Sequence, residues 1–135
     1  MWACDFFTVK TLTFKTLYVF FFVEHGCRAV VHFNVTKHPT AEWTWRQLIA
    51  ATTWGKQPRY LIRDRDACFG KAFVGRARAI GIETILTPFR APKANAVAER
   101  MVGTFRRECL DHVILLNERH LRSLLSEFVE HYNGA

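Results

Sequence analysis

The sequence predicts one domain with a mixed α/β layer fold, and three observations support this prediction. The chain has 135 residues, of which 50% are hydrophobic and 14% aromatic, enough for one hydrophobic core. Segments rich in β-branched and aromatic residues come first, and segments with a helical spacing of apolar residues come last. No internal repeat or low-complexity linker divides the chain.

Three strands are expected at the start of the chain, over residues 2–9, 16–24 and 27–35. The breaks between them are short, and the second one, at His25-Gly26, is tight enough for a hairpin. The spacing therefore predicts three antiparallel strands in sequence order.

Helices and strands alternate in the next part of the chain. Thr40 is a plausible N-cap for a helix that continues to about residue 54. A strand over 59–63, a helix over 70–80 closed by Gly81 and a strand over 82–86 follow. The buried positions expected in the first helix include Trp43, Leu48, Ile49 and Ala51.

Two longer helices are predicted at residues 94–111 and 118–132. Each carries one apolar stripe that should face the sheet. The stripes consist of Ala98, Met101, Val102, Phe105 and Cys109 in the first helix and of Leu121, Leu124, Leu125 and Phe128 in the second.

Composition excludes several classes of protein. The longest apolar run, residues 17–23, is far shorter than the ~20 residues that a membrane-spanning helix needs. The first residues carry no positively charged leader, so we expect a cytoplasmic protein. The four cysteines and six histidines have no zinc-binding spacing, and the cysteines are expected to be buried or half-buried.

Positive charge is concentrated in one part of the chain. Residues 59–107 carry eleven Lys and Arg against four Asp and Glu, whereas residues 108–135 have a net charge of −3. Such a cluster favours a polyanionic partner, although a merely solvated basic surface is an equally simple explanation.

Three carboxylates lie in or beside apolar elements, where an ionised group has a desolvation cost. Asp5 lies inside an apolar strand, Asp64 at the end of another, and Glu99 in the first long helix after the sheet. Each has an ordinary explanation alone: a solvent-facing strand residue, a turn aspartate or a helix-surface glutamate. Together they suggest one shared cation site.

Two segments carry a family resemblance. Leu-Ile-Arg-Asp-Arg-Asp-Ala-Cys-Phe-Gly at 61–70 and Ala-Pro-Lys-Ala-Asn-Ala-Val-Ala-Glu-Arg at 91–100, continued by residues 102–111, resemble the integrase-type catalytic core of bacterial insertion-sequence transposases. That core is similar to the retroviral integrase core. The resemblance extends from Trp2 to Asn133, almost the whole chain, and implies a single catalytic core domain over residues 1–135. It implies a ribonuclease H-like fold: a central five-stranded mixed sheet, three antiparallel strands and then two parallel ones, flanked by helices.

The resemblance also implies a function. An acidic triad of Asp5, Asp64 and Glu99, with 34 residues between the last two, would hold two Mg²⁺ ions, with Mn²⁺ as a substitute. The expected activity is that of a Mg-dependent transposase and integrase: two-metal phosphoryl transfer that cleaves element ends and joins them to target DNA. Lys93, Arg100, Arg106 and Arg107 are the expected DNA contacts. Glu99, Gly103 and Arg106 share one helix face, where a glycine would let a DNA backbone approach.

The expected partners are transposon-end DNA and target DNA, and no membrane association is expected. The chain is expected to act on the nucleoid as a homodimer or a higher oligomer. Such transposases usually carry an N-terminal helix-turn-helix region, which is expected to be absent here because the first strand starts at Trp2.

Two alternatives remain: a ribonuclease H-like nuclease, or a truncated, inactive remnant that binds DNA or dimerises. Asp66 is a rival to Asp64, because residues two apart in a strand point to the same side.

Overall fold

The central feature of the computed structural model, which describes residues 1–53, 57–63, 70–86 and 96–134, is a mixed sheet of five strands. The strands are β1 (Trp2–Lys10), β2 (Thr16–Glu24), β3 (Val30–Thr36), β4 (Tyr60–Arg63) and β5 (Glu83–Leu86), and their order in the sheet is β3-β2-β1-β4-β5. Strands β1, β2 and β3 pair antiparallel, whereas β4 pairs parallel with β1 and with β5. The predicted fold class is confirmed.

Helices cover both faces of the sheet. They are α1 (Ala41–Thr52), α2 (Gly70–Ala79), α3 (Ala96–Phe105), which continues into a π-helical turn at Arg106–Leu110, and α4 (Glu118–Gly134). Helices α1 and α2 pack on one face with a cluster that includes Phe20, Phe22 and Phe73. Helices α3 and α4 pack on the other face with Phe21 and Phe105.

Alternation in the two longest strands explains this two-sided packing. Successive strand residues point to opposite faces, so neighbouring phenylalanines enter different cores. Phe20 and Phe22 contact each other in a T-shaped pair on the α1 side, while Phe21 meets Phe105 of α3 at 5.4 Å between ring centroids. The sheet is therefore buried on both sides, as a three-layer α/β fold requires.

Local sequence signals set two helix ends. The hydroxyl of Thr40 accepts a hydrogen bond from the Trp43 amide at 3.0 Å, which confirms Thr40 as the N-cap of α1. Helix α2 is closed by Gly81, whose φ of +90° lies in the left-handed region. The amide of Ile82 then donates to the Ala77 carbonyl, and the chain enters β5.

Helix α4 fixes the edge strand β3. The side chain of Asn133 both donates to the carbonyl and accepts from the amide of Val30. Near the other end of α4, Arg122 donates to the Val35 carbonyl at 3.0 Å and to the side chain of Asn34. These contacts satisfy backbone groups of an edge strand that would otherwise be open to pairing.

Some predicted details were wrong. Strand β3 begins at Val30 and not at residue 27, because Arg28 adopts a left-handed φ of +60° within the turn after β2. Ile49 is 41% exposed, since the buried stripe of α1 consists of Thr44, Gln47, Leu48 and Ala51. Cys27 is exposed, whereas Cys4 is buried and Cys109 is half-buried.

None of the helices in the described ranges combines the length and the apolar composition that a membrane crossing needs.

Candidate active site

The placement of Asp5 follows from the alternation of β1. Ala3, Phe7 and Val9 belong to the cluster under α3 and α4, whereas Trp2 and Cys4 belong to the opposite cluster. By this parity Asp5 is on the α3 face of the sheet. The residue is half-buried, and its carboxylate accepts a hydrogen bond from the Phe6 amide at 2.8 Å. A half-buried carboxylate in an apolar strand is the arrangement that the sequence predicted.

Helix α3 brings Glu99 to the same side of the sheet. Ala98, Met101 and Phe105 bury the apolar stripe of α3 against β1 and β2, as predicted. Phe105 stacks on Phe7 of β1 with 5.5 Å between ring centroids, which holds the helix on the strand. Glu99 lies outside this stripe and is exposed.

Asp5 and Glu99 line one cavity of about 640 Å³. Among the described residues, β4 pairs with β1 only at Trp2 and Ala3, so the cavity lies along the part of β1 that follows this pairing. The other lining residues are Phe6, Phe7, Thr8, Tyr18, Pro39, Val102 and Arg106. The structure thus brings together two of the three predicted triad residues; the third, Asp64, lies outside the described residues, as does its rival Asp66.

Arg106 supplies a cation to the lining of this cavity. Its guanidinium carbon lies 5.3 Å from the centroid of the Phe7 ring, and its Nη2 donates to the Thr8 carbonyl at 3.2 Å. Arg106 is also the first residue of the π-helical turn, a local widening that often accompanies functional sites. One exposed arginine therefore links α3 to the strand that carries Asp5.

The other predicted DNA contacts are spread around α3. Arg107 is exposed and packs over Gly103: a Cβ added at Gly103 would lie 3.0 Å from Arg107 Nη1. The space beside this glycine, predicted to admit a DNA backbone, is thus next to a guanidinium. Arg100 lines a separate, smaller pocket on another side of α3. Lys93 lies outside the described residues.

Among the residues that line the cavity, sequence reasoning did not assign Thr8, Tyr18 or Pro39 to the site. Tyr18 pairs with Thr8 across the β1–β2 hairpin, so the length of that hairpin could have placed both beside the site. Nothing in the sequence indicated Pro39. Trp43, expected to be buried, and Trp45 are half-buried against the α1-side cluster, while Trp54 lies outside the described residues.

The donor set of the cavity fits a hard divalent cation. Asp5 and Glu99 offer carboxylate oxygens, and no His or Cys lines the cavity among the described residues. Within the described part of the chain, no group of three His, Cys, Asp or Glu side chains could hold a metal ion. Two carboxylates are therefore what the described residues contribute to such a site.

Comparisons with known proteins bear on the family resemblance and the fold. Residues 80–135 match the family model of the integrase core domain. The resemblance to integrase-type cores is confirmed. Over 133 residues the chain is 27% identical to a protein of 39.2 kDa of the insertion element IS476 from Xanthomonas euvesicatoria, which has not been characterised. This match covers 98% of the chain but 38% of that relative, so the chain spans well under half of the relative's length.

Solved structures share the fold of this chain at low sequence identity. The catalytic domain of the Mos1 mariner transposase has a TM-score of 0.77 and 12% identity, covering 96% of this chain and 69% of that one. The HTLV-2 integrase catalytic core, solved in complex with magnesium in a trimeric form, has a TM-score of 0.69 and 17% identity, with coverages of 92% and 80%. A chain in the structure of the simian T-cell lymphotropic virus intasome in complex with PP2A regulatory subunit B56 gamma has a TM-score of 0.75 and 16% identity. The match covers 92% of this chain and 46% of that one.

Proposed function

We propose that the chain is the catalytic core of a DNA transposase, which cleaves element ends and joins them to target DNA by metal-dependent phosphoryl transfer. The observation that carries this proposal is that Asp5 of β1 and Glu99 of α3 line the same cavity. Their two carboxylates could bind one shared cation there. The integrase core match and the insertion-element relative support the same reaction class.

The register of β1 and β4 supports Asp64 as the third residue of the proposed triad. Ala3 of β1 pairs with Ile62 of β4 in a parallel register. Two positions further along both strands, the sequence has Asp5 and Asp64. Ile62 also belongs to the cluster on the α3 face, the face of Asp5. This count supports Asp64 as the third carboxylate, although the residue itself lies outside the described ranges.

Asp5, Asp64 and Glu99 would hold Mg²⁺, or Mn²⁺ in its place, through carboxylate oxygens. When bound, a pair of such ions activates an attacking water or 3′-hydroxyl and stabilises the leaving oxygen of a phosphodiester. The strand and the helix position the carboxylates, since rigid elements fix ligand geometry better than loops do. Without a cation, Asp5 and Glu99 at one cavity would repel each other.

Arg106 would bind the DNA phosphates that enter this cavity. Its contacts with the Phe7 ring and the Thr8 carbonyl fix the guanidinium at the cavity wall, and an arginine fork suits a phosphate group. Lys93, Arg100 and Arg107 would add further phosphate contacts. The two partners proposed are element ends and target DNA, and the acting form would be a homodimer or a higher oligomer.

A nicking assay on supercoiled DNA tests the proposal. The wild-type chain should nick DNA in Mg²⁺ or Mn²⁺ and not in EDTA. Asp5→Asn and Glu99→Gln should both lower the nicking rate by at least about a hundredfold, because each removes a charged metal ligand from the site that stabilises the transition state. Glu130→Gln is the matched control, since Glu130 is exposed on α4 and lines none of the cavities described above. Equal nicking by all four proteins would reject the proposal.

A further inference from the structure

A second pocket lies on another side of α3, and two arginines from distant parts of the chain converge on it. The pocket has a volume of about 120 Å³. Arg28 comes from the turn between β2 and β3, and Arg100 comes from the middle of α3. Glu99 and Arg100 are consecutive, so their side chains leave the helix about 100° apart. The pocket is therefore distinct from the cavity of Asp5 and Glu99 but shares a helix with it.

The chemistry of the lining suits an anion. Both arginines are exposed, and neither forms an ion pair with another described residue. Among the described residues, no carboxylate lines the pocket; Glu24, an acidic residue of the same hairpin, lines a different cavity. Two cations that line one pocket repel each other, and a shared anion would relieve that repulsion.

The remaining lining groups give the pocket a defined shape. The hydroxyl of Thr104 donates to the Arg100 carbonyl at 3.0 Å, which fixes the orientation of this side chain. The ring of Tyr132 is stacked on Phe128 at 5.9 Å between centroids, which limits its motion. Val23 and Met101 are buried and contribute an apolar base. Arg28 is held in a left-handed conformation, with its amide donating to the Glu24 carbonyl at 2.8 Å.

We propose that Arg28 and Arg100 form a phosphate-binding subsite that holds one phosphodiester of a DNA strand beside the helix of Glu99. The proposal rests on the proposed function for its ligand, DNA, but not on catalysis. A duplex is the favoured source of the anion because Arg100 belongs to residues 59–107, the part of the sequence in which positive charge is concentrated. The subsite adds Arg28, from outside that basic region, to the DNA-binding residues.

The test measures the affinity of the chain for a fluorescein-labelled 30-base-pair DNA duplex as a function of salt. Arg28→Gln should weaken binding about five- to tenfold and reduce the slope of log K against log salt by about one, as loss of one phosphate contact predicts. Arg100→Gln should do the same. Because both residues would hold the same phosphate, the double variant should weaken binding by less than the product of the two single effects.

Arg78→Gln is the matched control, because Arg78 lies exposed on α2 and its loss changes the net charge equally. It should weaken binding less than about twofold. Glutamine at position 28 meets the same left-handed backbone as arginine, so folding should be preserved, and circular dichroism checks this.

The outcomes separate this inference from the proposed function. If the wild-type chain binds no duplex at low salt, both fail. If it binds and nicks DNA while Arg28→Gln behaves like Arg78→Gln, the subsite is wrong and the proposed function stands. If Arg28→Gln instead shifts a dimer towards monomer in analytical ultracentrifugation with unchanged DNA affinity, the two arginines bind a protein carboxylate and the inference is overturned.

Discussion

The guanidinium of Arg106 lies over the ring of Phe7, 5.3 Å from its centroid, and its Nη2 donates to the carbonyl of Thr8 at 3.2 Å. Through these contacts the end of the helix that carries Glu99 is attached to the strand that carries Asp5. An exposed cation–π contact and a single hydrogen bond to a carbonyl are small in energy. Loss of the Arg106 contacts is therefore expected to change the activity of the site more than the stability of the fold.

We predict that Arg106→Gln lowers the free energy of unfolding by only about 0.5–1.5 kcal/mol, because it removes an exposed cation–π contact and one charge-assisted hydrogen bond. Urea unfolding followed by circular dichroism measures this. Arg107→Gln is the control, since Arg107 is likewise exposed. A loss above about 3 kcal/mol would indicate that Arg106 is a structural residue, because that is the range of a core substitution.

Gly103→Ala should stabilise the chain by up to about 1 kcal/mol, because alanine is the better helix former in the interior of α3. The added Cβ would lie 3.0 Å from Arg107 Nη1, the far end of a flexible side chain that can move aside. The melting temperature measures the change. A lower melting temperature than that of the wild type would show that Arg107 is fixed over Gly103.

Cys109 should react more slowly with iodoacetamide than Cys27 does at pH 8. Burial, with a contribution from the Glu127 carboxylate, raises the pKa of the Cys109 thiol, so less of it is thiolate at that pH. Cys27 is exposed. Peptide mapping by mass spectrometry after timed alkylation, in a Cys68→Ser background, measures the two rates. Faster modification of Cys109 than of Cys27 would contradict the packing of the π-helical turn against α4.

Much of this fold could be predicted because its signals are local. Strand periodicity placed Asp5 in β1, and an N-cap preference placed Thr40 before α1. Gln47 shows the limit: it is buried because its side-chain oxygen accepts from His32 and Asn34 of β3, a pairing between distant segments. Ile49 was expected to be buried and is not, since this polar contact helps to decide which face of α1 meets the sheet.

In the candidate site, too, residues with a local sequence signal could be predicted, whereas residues placed by contacts between distant segments could not. Asp5 could be found as a charged residue in an apolar strand and Glu99 through the family resemblance, but Tyr18 reaches the cavity only through the register of the β1–β2 hairpin. The turn of Arg28 was missed because a left-handed φ at an arginine has no sequence signal, unlike one at glycine. The π-helical turn after Phe105 was predicted as ordinary helix, since both have nearly the same apolar spacing.

The choice between the two neighbouring aspartates remains a prediction from the sequence. Asp64→Asn should abolish metal-dependent nicking, whereas Asp66→Asn should reduce it modestly or only lower stability. The reason is that Asp64 follows directly after the last residue of β4, where the sheet can fix its position. The nicking rates of both purified, folded variants decide between them. Normal nicking by Asp64→Asn, with none by Asp66→Asn, would move the triad to Asp66.

The central claim is that Asp5 and Glu99 bind the same divalent cation. Isothermal titration of the chain with Mn²⁺ tests it most directly, because it needs neither DNA nor turnover. We predict that the wild-type chain and Glu130→Gln bind Mn²⁺ with the same affinity, and that Asp5→Asn and Glu99→Gln each weaken binding at least tenfold. Mn²⁺ binding that is unchanged in both of these variants would contradict the claim.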